Sequence, residues 1–334
     1  MRTIITALLV FLLCASAGAA QTMEVYFIDV EGGQATLFVS PSGESLLVDT
    51  GWPDFGGRDA ERIDRAARLA GVNEIDYLVV THYHMDHVGG VPQLAARIPI
   101  RTFVDHGPSV ETGPQADQLV SAYQSVREKG KHLLAKPGDV IPIRGIEVLI
   151  LTAAGNEISS PVPGAGAPNP LCAGAKRKDN DPSENAQSVG MLITYGKFRM
   201  IDLGDLTWNK ELGLACPDNK IGAVDVYLST HHGLDLSGAL PLVHALHPLV
   251  AITNNGARKG GSPEAWQTIH SSPGLRDIWQ LHYALEAGQA SNAPEPFIAN
   301  LEEHCQGNWI KLSAEPDGRF TVTNGRNGMT KAYR

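Results

Sequence analysis

Residues 81–90 restrict the fold of this chain more than any other segment does. They read THYHMDHVGG, and they place three imidazoles and one carboxylate within six positions, at His82, His84, Asp86 and His87. They directly follow the apolar run at residues 75–80, which predicts a buried strand that ends in a loop. Side chains two positions apart in extended backbone point the same way, so His82 and His84 share a face. The chain must then turn toward a helix that we expect to begin near Val88.

Four ligand-type side chains on one short loop can reach two neighbouring points in space, which predicts a metal site. Neutral imidazole and carboxylate together suit zinc, manganese or iron better than calcium or magnesium. The alternative is a solvated, histidine-rich loop, because imidazoles and carboxylates are mostly exposed and need no function. We favour the metal site, because isolated surface histidines have no reason to gather at the end of an apolar strand.

The pattern at residues 82–87 resembles the signature of the metallo-β-lactamase fold superfamily, hydrolases with a one- or two-metal site. The resemblance extends from about residue 23 to residue 269 and implies an α/β fold, the αββα sandwich. No low-complexity linker or repeat interrupts the chain, so we expect one hydrolase domain at residues 21–334. Residues 152–184 are expected to be a long loop insertion, and residues 297–334 a short C-terminal β extension, whose edge strands would bury Trp309 and Phe320.

Further metal ligands are implied by resemblance at two later motifs. Residues 202–206 (DLGDL) end a predicted strand and resemble the fourth superfamily motif, in which an aspartate bridges two metals, and Asp205 is the candidate. Residues 230–233 (THHG) follow another apolar strand and resemble the His-His-Gly motif of one branch of the superfamily. We assign metal binding to His232 and substrate or proton chemistry to His231, and the reverse assignment stays open.

The branch in question includes the nuclease-like domain of competence DNA-uptake channels and bacterial choline-phosphate esterases. Its first motif usually reads Asp-Val-Gly-Gln-Gly-Asp, and residues 29–34 (DVEGGQ) match it in part, with Glu31 and Gln34 in place of Gly and Asp. Many superfamily members have a metal-binding histidine where residues 184–188 carry Asn185, and this branch also tends to carry asparagine there. The resemblance therefore points away from a β-lactamase, and leaves Asn185 as a weak ligand or substrate contact.

Two residues are candidates for supporting roles. Residues 48–51 (VDTG) fit the second superfamily motif, so Asp49 would orient a ligand imidazole, and it would equally suit a turn that accepts backbone N–H groups. A strand at residues 101–104 delivers His106 to a loop that would face the site. His106 would contact substrate there, although we favour the alternative, a hydrogen-bonded loop histidine.

The first 20 residues predict export. A weakly basic start precedes an uninterrupted apolar run at residues 4–13 and small residues at 15–20, which is the pattern of a cleaved signal peptide at residues 1–20. The apolar run is too short to span a bilayer comfortably. We expect no transmembrane segment in the mature chain, which would be periplasmic or secreted.

Three of the four cysteines lie beyond the predicted cleavage point, at Cys172, Cys216 and Cys305. None has the spacing of a metal-binding CxxC pair, so we expect structural roles. An oxidising compartment permits one disulfide, and we favour Cys172 with Cys216 because both lie in predicted loops. Three later histidines have no metal-like partners in sequence and are also expected to be structural, namely His270, His282 and His304.

The motifs together predict an exported hydrolase with two divalent transition-metal ions, for which we favour zinc over manganese or iron. The first ion would take His82, His84 and Asp205, with Asn185 or water, and the second Asp86, His87, His232 and Asp205. A hydroxide shared by the metals would attack an ester, with Asp86, Asp205 and His231 as the catalytic residues.

The substrate that we favour is a small phosphodiester. Nucleic acid is not favoured, because a formal net charge of −9 does not attract polyanions over the whole surface. Ser262 also stands where relatives often place a substrate-contacting histidine. The alternatives are a lactone or amide hydrolase with the same site, and a metal-stabilised binding protein without turnover. The oligomeric state is not indicated by the sequence.

Overall fold

Two large β-sheets organise residues 22–334, the part of the chain that this computed structural model describes; the predicted signal peptide at residues 1–20 lies outside the described residues. The strands are, in chain order, β1 (Met23–Phe27), β2 (Thr36–Val39), β3 (Ser45–Val48), β4 (Ile75–Val79), β5 (Ile100–Asp105), β6 (Lys131–Leu134), β7 (Val140–Ile141), β8 (Glu147–Ala153), β9 (Asn156–Glu157), β10 (Ala167–Pro168), β11 (Gly190–Tyr195), β12 (Phe198–Asp202), β13 (Asp218–Asn219), β14 (Val226–Leu228), β15 (Val250–Thr253), β16 (Asp277–His282), β17 (Ile298–Asn300), β18 (Ile310–Ala314), β19 (Phe320–Asn324) and β20 (Thr330–Tyr333).

The first sheet has the order β20-β19-β18-β1-β2-β3-β4-β5-β6, and the second β17-β16-β15-β14-β12-β11-β8-β7 with β9 paired to β8. Strands β10 and β13 form a separate pair. In the first sheet β3 to β6 are parallel neighbours, and in the second β12 and β14 to β17 are. Ligands of open α/β sheets bind at the carboxyl ends of such strands, and the predicted metal ligands follow β4, β12 and β14.

Helices cover the outer face of each sheet. They are α1 (Arg58–Leu69), α2 (Met85–Val88), α3 (Val91–Ala95), α4 (Pro114–Arg127), α5 (Trp208–Ala215), α6 (Leu240–Leu246) and α7 (Pro263–His270). Short 3₁₀ turns lie at Phe55–Gly57, Pro170–Gly174, Glu184–Gln187, Thr230–Gly233, Gln289–Ser291 and Glu295–Phe297. Ile63 of α1 and Leu94 of α3 pack on the first sheet, while Leu214 of α5 and Leu242 of α6 pack on the second.

The core between the sheets follows from alternation along the strands. In β1 the side chains of Val25 and Phe27 face the other sheet and meet residues such as Phe198, while Tyr26 faces the helices. Successive side chains of a strand point to opposite faces, so each sheet buries apolar residues on both sides. The order helix, sheet, sheet, helix confirms the predicted αββα sandwich.

Two sequence-based expectations need correction. The helix expected near Val88 begins at Met85, so Asp86 and His87 lie inside α2 and not before it. The C-terminal strands were expected at a sheet edge with Trp309 buried. Instead β18 lies between β1 and β19, because its backbone groups pair with the otherwise open side of β1, and Trp309 is only half-buried.

The predicted disulfide between Cys172 and Cys216 is confirmed, and it ties the 152–184 segment to the end of α5. Cys305 is the free cysteine of residues 22–334. Among those residues, no helix has the length and apolar character required to cross a membrane.

Candidate metal centre

Four ligand-type atoms meet where the two sheets end. Asp86 and His87 come from α2 after β4, Asp205 from the turn after β12, and His232 from the 3₁₀ turn after β14. His87 Nε2 lies 3.2 Å from His232 Nε2, 3.2 Å from Asp205 Oδ2 and 3.3 Å from Asp86 Oδ2. His232 Nε2 lies 3.2 Å from Asp86 Oδ2 and 3.3 Å from Asp205 Oδ2.

These spacings fit one metal ion. When four ligands stand about 2.0 Å from a tetrahedral ion, neighbouring ligand atoms are about 3.3 Å apart. Burial alone would raise the pKa of Asp205, but the neighbouring His232, His87 and His231 hold that pKa well below its ordinary value. The site therefore offers buried carboxylates in the charged form that a cation requires.

A second group of donors lies beside the first. His82 Nε2 and His84 Nδ1 are 3.0 Å apart, and the His82 ring centroid is 4.1 Å from that of His87. Burial, and then the charge of His87, hold the pKa of His82 well below its ordinary value, so its imidazole is neutral. Asn185 Oδ1 and Asp205 Oδ1 are buried without a hydrogen-bond partner. Unpartnered buried oxygens are costly unless something binds them, so this donor set fits a second ion.

Asp49 supports the centre from behind. Its Oδ2 lies 2.7 Å from His87 Nδ1 and accepts a 2.6 Å hydrogen bond from Thr81 Oγ1, while Oδ1 accepts from the Thr81 backbone N–H at 2.8 Å. In the neutral form that binds metal, a proton held on Nδ1 by Asp49 leaves the Nε2 lone pair of His87 directed at the ligand cluster. Both roles considered for Asp49, orienting an imidazole and accepting backbone N–H groups, are present in this geometry.

We expect Asp49→Asn to lower metal affinity and activity by about 10–100-fold, because an amide orients the imidazole without a charge. Metal titration of the chelator-treated protein and steady-state kinetics measure both quantities. Asp105→Asn is the matched control, since Asp105 is also a buried strand-end aspartate paired with a histidine, His132 at 2.9 Å, outside the centre. Equal losses in the two variants would show a general folding effect instead.

The backbone at His231 and His232 is unusual. Both residues have φ of 56°, in the left-handed region that costs about 1–3 kcal/mol for a side chain other than glycine. This conformation brings both rings to Asp205, since His231 Nε2 also lies 3.3 Å from Asp205 Oδ2. Burial lowers the pKa of His231 to about 4, so this imidazole is neutral.

His106 does not face the cluster. Its Nε2 lies 2.9 Å from Glu184 Oε2, and Glu184 also accepts from the backbone N–H groups of Tyr83 and Val110. The structure therefore shows the hydrogen-bonded loop histidine that was the favoured alternative. Glu184 ties the 3₁₀ turn that carries Asn185 to the loop of the metal ligands.

A cavity of about 630 Å³ opens beside the centre, and three of its lining residues were not foreseen. Lys259 Nζ donates to Asp86 Oδ2 and lies 5.2 Å from the Trp52 ring centroid. Glu111 Oε1 lies 3.0 Å from His84 Nε2. No sequence motif marks these residues, because they reach the cavity from separate loops. The glycine-rich segment around Lys259 is the local sequence feature that could have indicated a loop at the cavity.

Comparisons with known proteins agree with the family resemblance of the metal-ligand motif. Residues 28–171 match the family model described as the metallo-beta-lactamase superfamily. A hydroxyacylglutathione hydrolase of Stenotrophomonas maltophilia is 32% identical over 108 residues, or 30% of this chain and 37% of that protein. A ribonuclease Z of Methanopyrus kandleri is 32% identical over 119 residues, or 34% of this chain and 37% of that protein. The matched part of this chain thus spans little more than a third of either relative.

Among solved structures, the metallo-beta-lactamase fold protein YhfI of Bacillus subtilis aligns with a TM-score of 0.47 at 13% identity, covering 77% of this chain and 95% of that one. Residues 28–171 thus match the metallo-β-lactamase superfamily, and the αββα sandwich of residues 22–334 agrees with that match. The matched residues end before Asp205, His231 and His232, so the placement of these three rests on geometry alone.

Proposed function

We propose that the protein is an exported metal-dependent hydrolase that cleaves a small phosphodiester. The observation that carries the proposal is the cluster of Asp86, His87, Asp205 and His232, whose ligand atoms are spaced as one ion requires. A pair of divalent transition metals, zinc in our proposal, would supply a water that ionises near neutral pH and would neutralise charge that develops on the ester. The disulfide supports export, because such bonds persist in oxidising compartments.

The side chains of the centre have separate roles in this proposal. Asp205 joins the two ligand groups, and Asp86 and His87 hold their positions from the short helix α2. His231 is neutral and faces Asp205, so it can accept a proton at Nε2 or hold the substrate. Lys259 brings a cation to the mouth of the cavity, where an anionic substrate would displace it from Asp86.

A phosphodiester fits this arrangement better than a β-lactam. Asn185 stands where lactamases of the superfamily keep a histidine, and the loop at residues 29–34 and the His-His-Gly turn resemble the branch with phosphodiester chemistry. An ammonium group beside two cations also suits the charge of a phosphoryl transition state. The acidic net charge of −9 makes long nucleic acid a poor substrate, so a small molecule is the better proposal.

The test is a comparison of kcat/KM for a chromogenic phosphodiester, a lactone and a chromogenic β-lactam, on metal-reconstituted protein. We expect the phosphodiester to be preferred by at least about tenfold, roughly the discrimination that one charge-assisted contact gives. Lys259→Met should lower kcat/KM for the phosphodiester and leave the neutral lactone unaffected. Arg258→Met is the matched control, because Arg258 pairs with Glu303 at the surface.

Each other outcome has a definite meaning. Preference for the lactone or the β-lactam would reject the substrate class and keep the metal centre. Stoichiometric metal binding without turnover of any of the three would favour the metal-stabilised binding protein. Absence of bound metal would reject the whole proposal.

A further inference from the structure

A second group of ligand-type side chains lies outside the candidate metal centre. Asp29 and Glu31 follow β1, His282 ends β16, and Cys305 lies in the loop between β17 and β18. One donor atom from each lies within 4.8 Å of all the others. These four residues are far apart in the sequence, so we expected His282 and Cys305 to have structural roles without metal-like partners. The folded chain brings the four side chains together.

The thiol is the centre of this group. Cys305 Sγ lies 3.1 Å from Asp29 Oδ2, 3.5 Å from Glu31 Oε1 and 3.8 Å from His282 Nε2. With zinc–sulfur and zinc–nitrogen bonds of about 2.3 and 2.0 Å, a tetrahedral site separates sulfur and nitrogen by about 3.5 Å. A shift of a few tenths of an ångström would bring sulfur and imidazole nitrogen to this separation. Thiolate, imidazole and carboxylate together select zinc over calcium or magnesium.

Arg62 belongs to the same group and limits its charge. Its Nη1 donates to Asp29 Oδ2 at 2.8 Å and to Glu31 Oε1 at 3.1 Å. With a neutral His282 and a neutral thiol, two carboxylates and one guanidinium leave one negative charge, although Asp29 and His282 are fully buried. A divalent cation that displaces the proton of Cys305 to solvent brings the formal charge of the group to zero.

The rival arrangement is a hydrogen-bonded ion-pair network without metal. His282 Nε2 lies 2.7 Å from Asp29 Oδ1, so a protonated imidazole would also neutralise the group. That network does not explain the thiol, because S–H is a weak donor and sulfur a weak acceptor, and a serine would serve better. A half-buried free thiol is also exposed to oxidation in a chain that joins its Cys172 and Cys216. A bound metal accounts for both features.

We propose that Asp29, Glu31, His282 and Cys305 hold a structural zinc ion, distinct from the candidate catalytic pair. The ion would join the end of β1, the end of β16 and the C-terminal extension at one point. This position matters for the catalytic centre because the loop at residues 29–34 backs it. The Gln34 N–H donates to the Asp86 carbonyl at 3.1 Å, and a Cβ on Gly33 would lie 2.3 Å from that oxygen.

The test uses a difference in ligands. Among residues 22–334, no sulfur atom belongs to the ligand set proposed for the two catalytic ions, whereas the structural zinc ion would be bound by the Cys305 thiolate. The full chain is stripped of metal and reloaded with Co²⁺, with the Cys172–Cys216 disulfide intact. Thiolate ligation gives an intense sulfur-to-cobalt charge-transfer absorption in the near ultraviolet, which imidazole and carboxylate ligands do not give. We expect this absorption in the wild-type protein together with the weaker visible bands of the other ions, and about one more cobalt per chain than in Cys305→Ser.

Cys305→Ser should lose the charge-transfer absorption and that one cobalt, whereas His304→Asn, the control at the exposed neighbouring residue outside the ligand group, should keep both. A second measurement is alkylation of Cys305, located by peptide mass spectrometry, which Zn²⁺ should slow by at least about tenfold and excess chelator restore. Visible cobalt bands without charge transfer, or absorption that persists in Cys305→Ser, would overturn the proposal. Zinc-independent alkylation would overturn it too, and would assign the group to the Arg62 network. Each of these outcomes leaves the proposed hydrolase unaffected.

Discussion

Asp205→Asn is expected to lower kcat by at least about 10³-fold, with the fold retained, because in the proposed site both ions share Asp205. Its Oδ2 lies 3.2–3.3 Å from Nε2 of three imidazoles, those of His87, His231 and His232. An amide oxygen at this position carries no formal charge and coordinates two cations poorly. Steady-state kinetics with the preferred substrate measure the loss, and circular dichroism during heating verifies the fold.

The control for this change is Asp202→Asn. Asp202 is equally buried three positions earlier, accepts from Gln34 Nε2 at 2.8 Å, and has a pKa that burial raises to about 6. It contributes no atom to the ligand cluster, so kcat should change by less than about tenfold. If Asp205→Asn keeps most of its activity in a preparation free of wild-type protein, two ions do not share this carboxylate.

The parts that the sequence predicts well are local. His82, His84, Asp86 and His87 lie close together in sequence, and the end of the apolar run before them indicates where that segment begins. A pattern within ten residues fixes which side chains can share a point in space, because backbone geometry decides it. The αββα sandwich follows from the same motif through the family resemblance.

The parts that the sequence does not predict depend on contacts between distant segments. Lys259 meets Asp86 across 173 positions, and Cys305 meets Asp29 across 276. No periodicity or spacing encodes such pairs, since the sheet order that creates them is set by packing of the whole domain. The same holds for β18, whose position between β1 and β19 depends on a pairing that spans most of the chain.

Sequence patterns also do not reveal which charged and polar atoms surround a given side chain. The adjacent histidines 231 and 232 have equal status in the sequence, and either one could bind metal. The structure distinguishes them through the atoms that surround each ring. His232 Nε2 has ligand atoms of Asp86, His87 and Asp205 around it, whereas His231 Nε2 has that of Asp205.

The tautomer of His231 follows from its other nitrogen. Ser237 Oγ donates to the carbonyl of Leu206 at 2.7 Å, so its oxygen accepts a hydrogen bond from the protonated Nδ1 of His231, 3.3 Å away. The Nε2 lone pair of His231 is therefore free and faces the centre. With a pKa lowered by burial to about 4, this nitrogen remains unprotonated at neutral pH and can take a proton from substrate or water.

The same substitution at the two adjacent positions should therefore have different effects. His232→Asn should remove about one metal ion per chain and abolish turnover, because the amide is too short to replace Nε2. His231→Asn should keep the metal content of the wild-type protein and lower kcat by about 10²–10⁴-fold, the contribution of a positioned proton acceptor. Elemental analysis of dialysed protein and steady-state kinetics give the two quantities independently. Loss of one ion in His231→Asn, with full metal content in His232→Asn, would reverse the assignment. Equal metal loss in both variants would make both histidines ligands, because their rings meet at the same Asp205 oxygen.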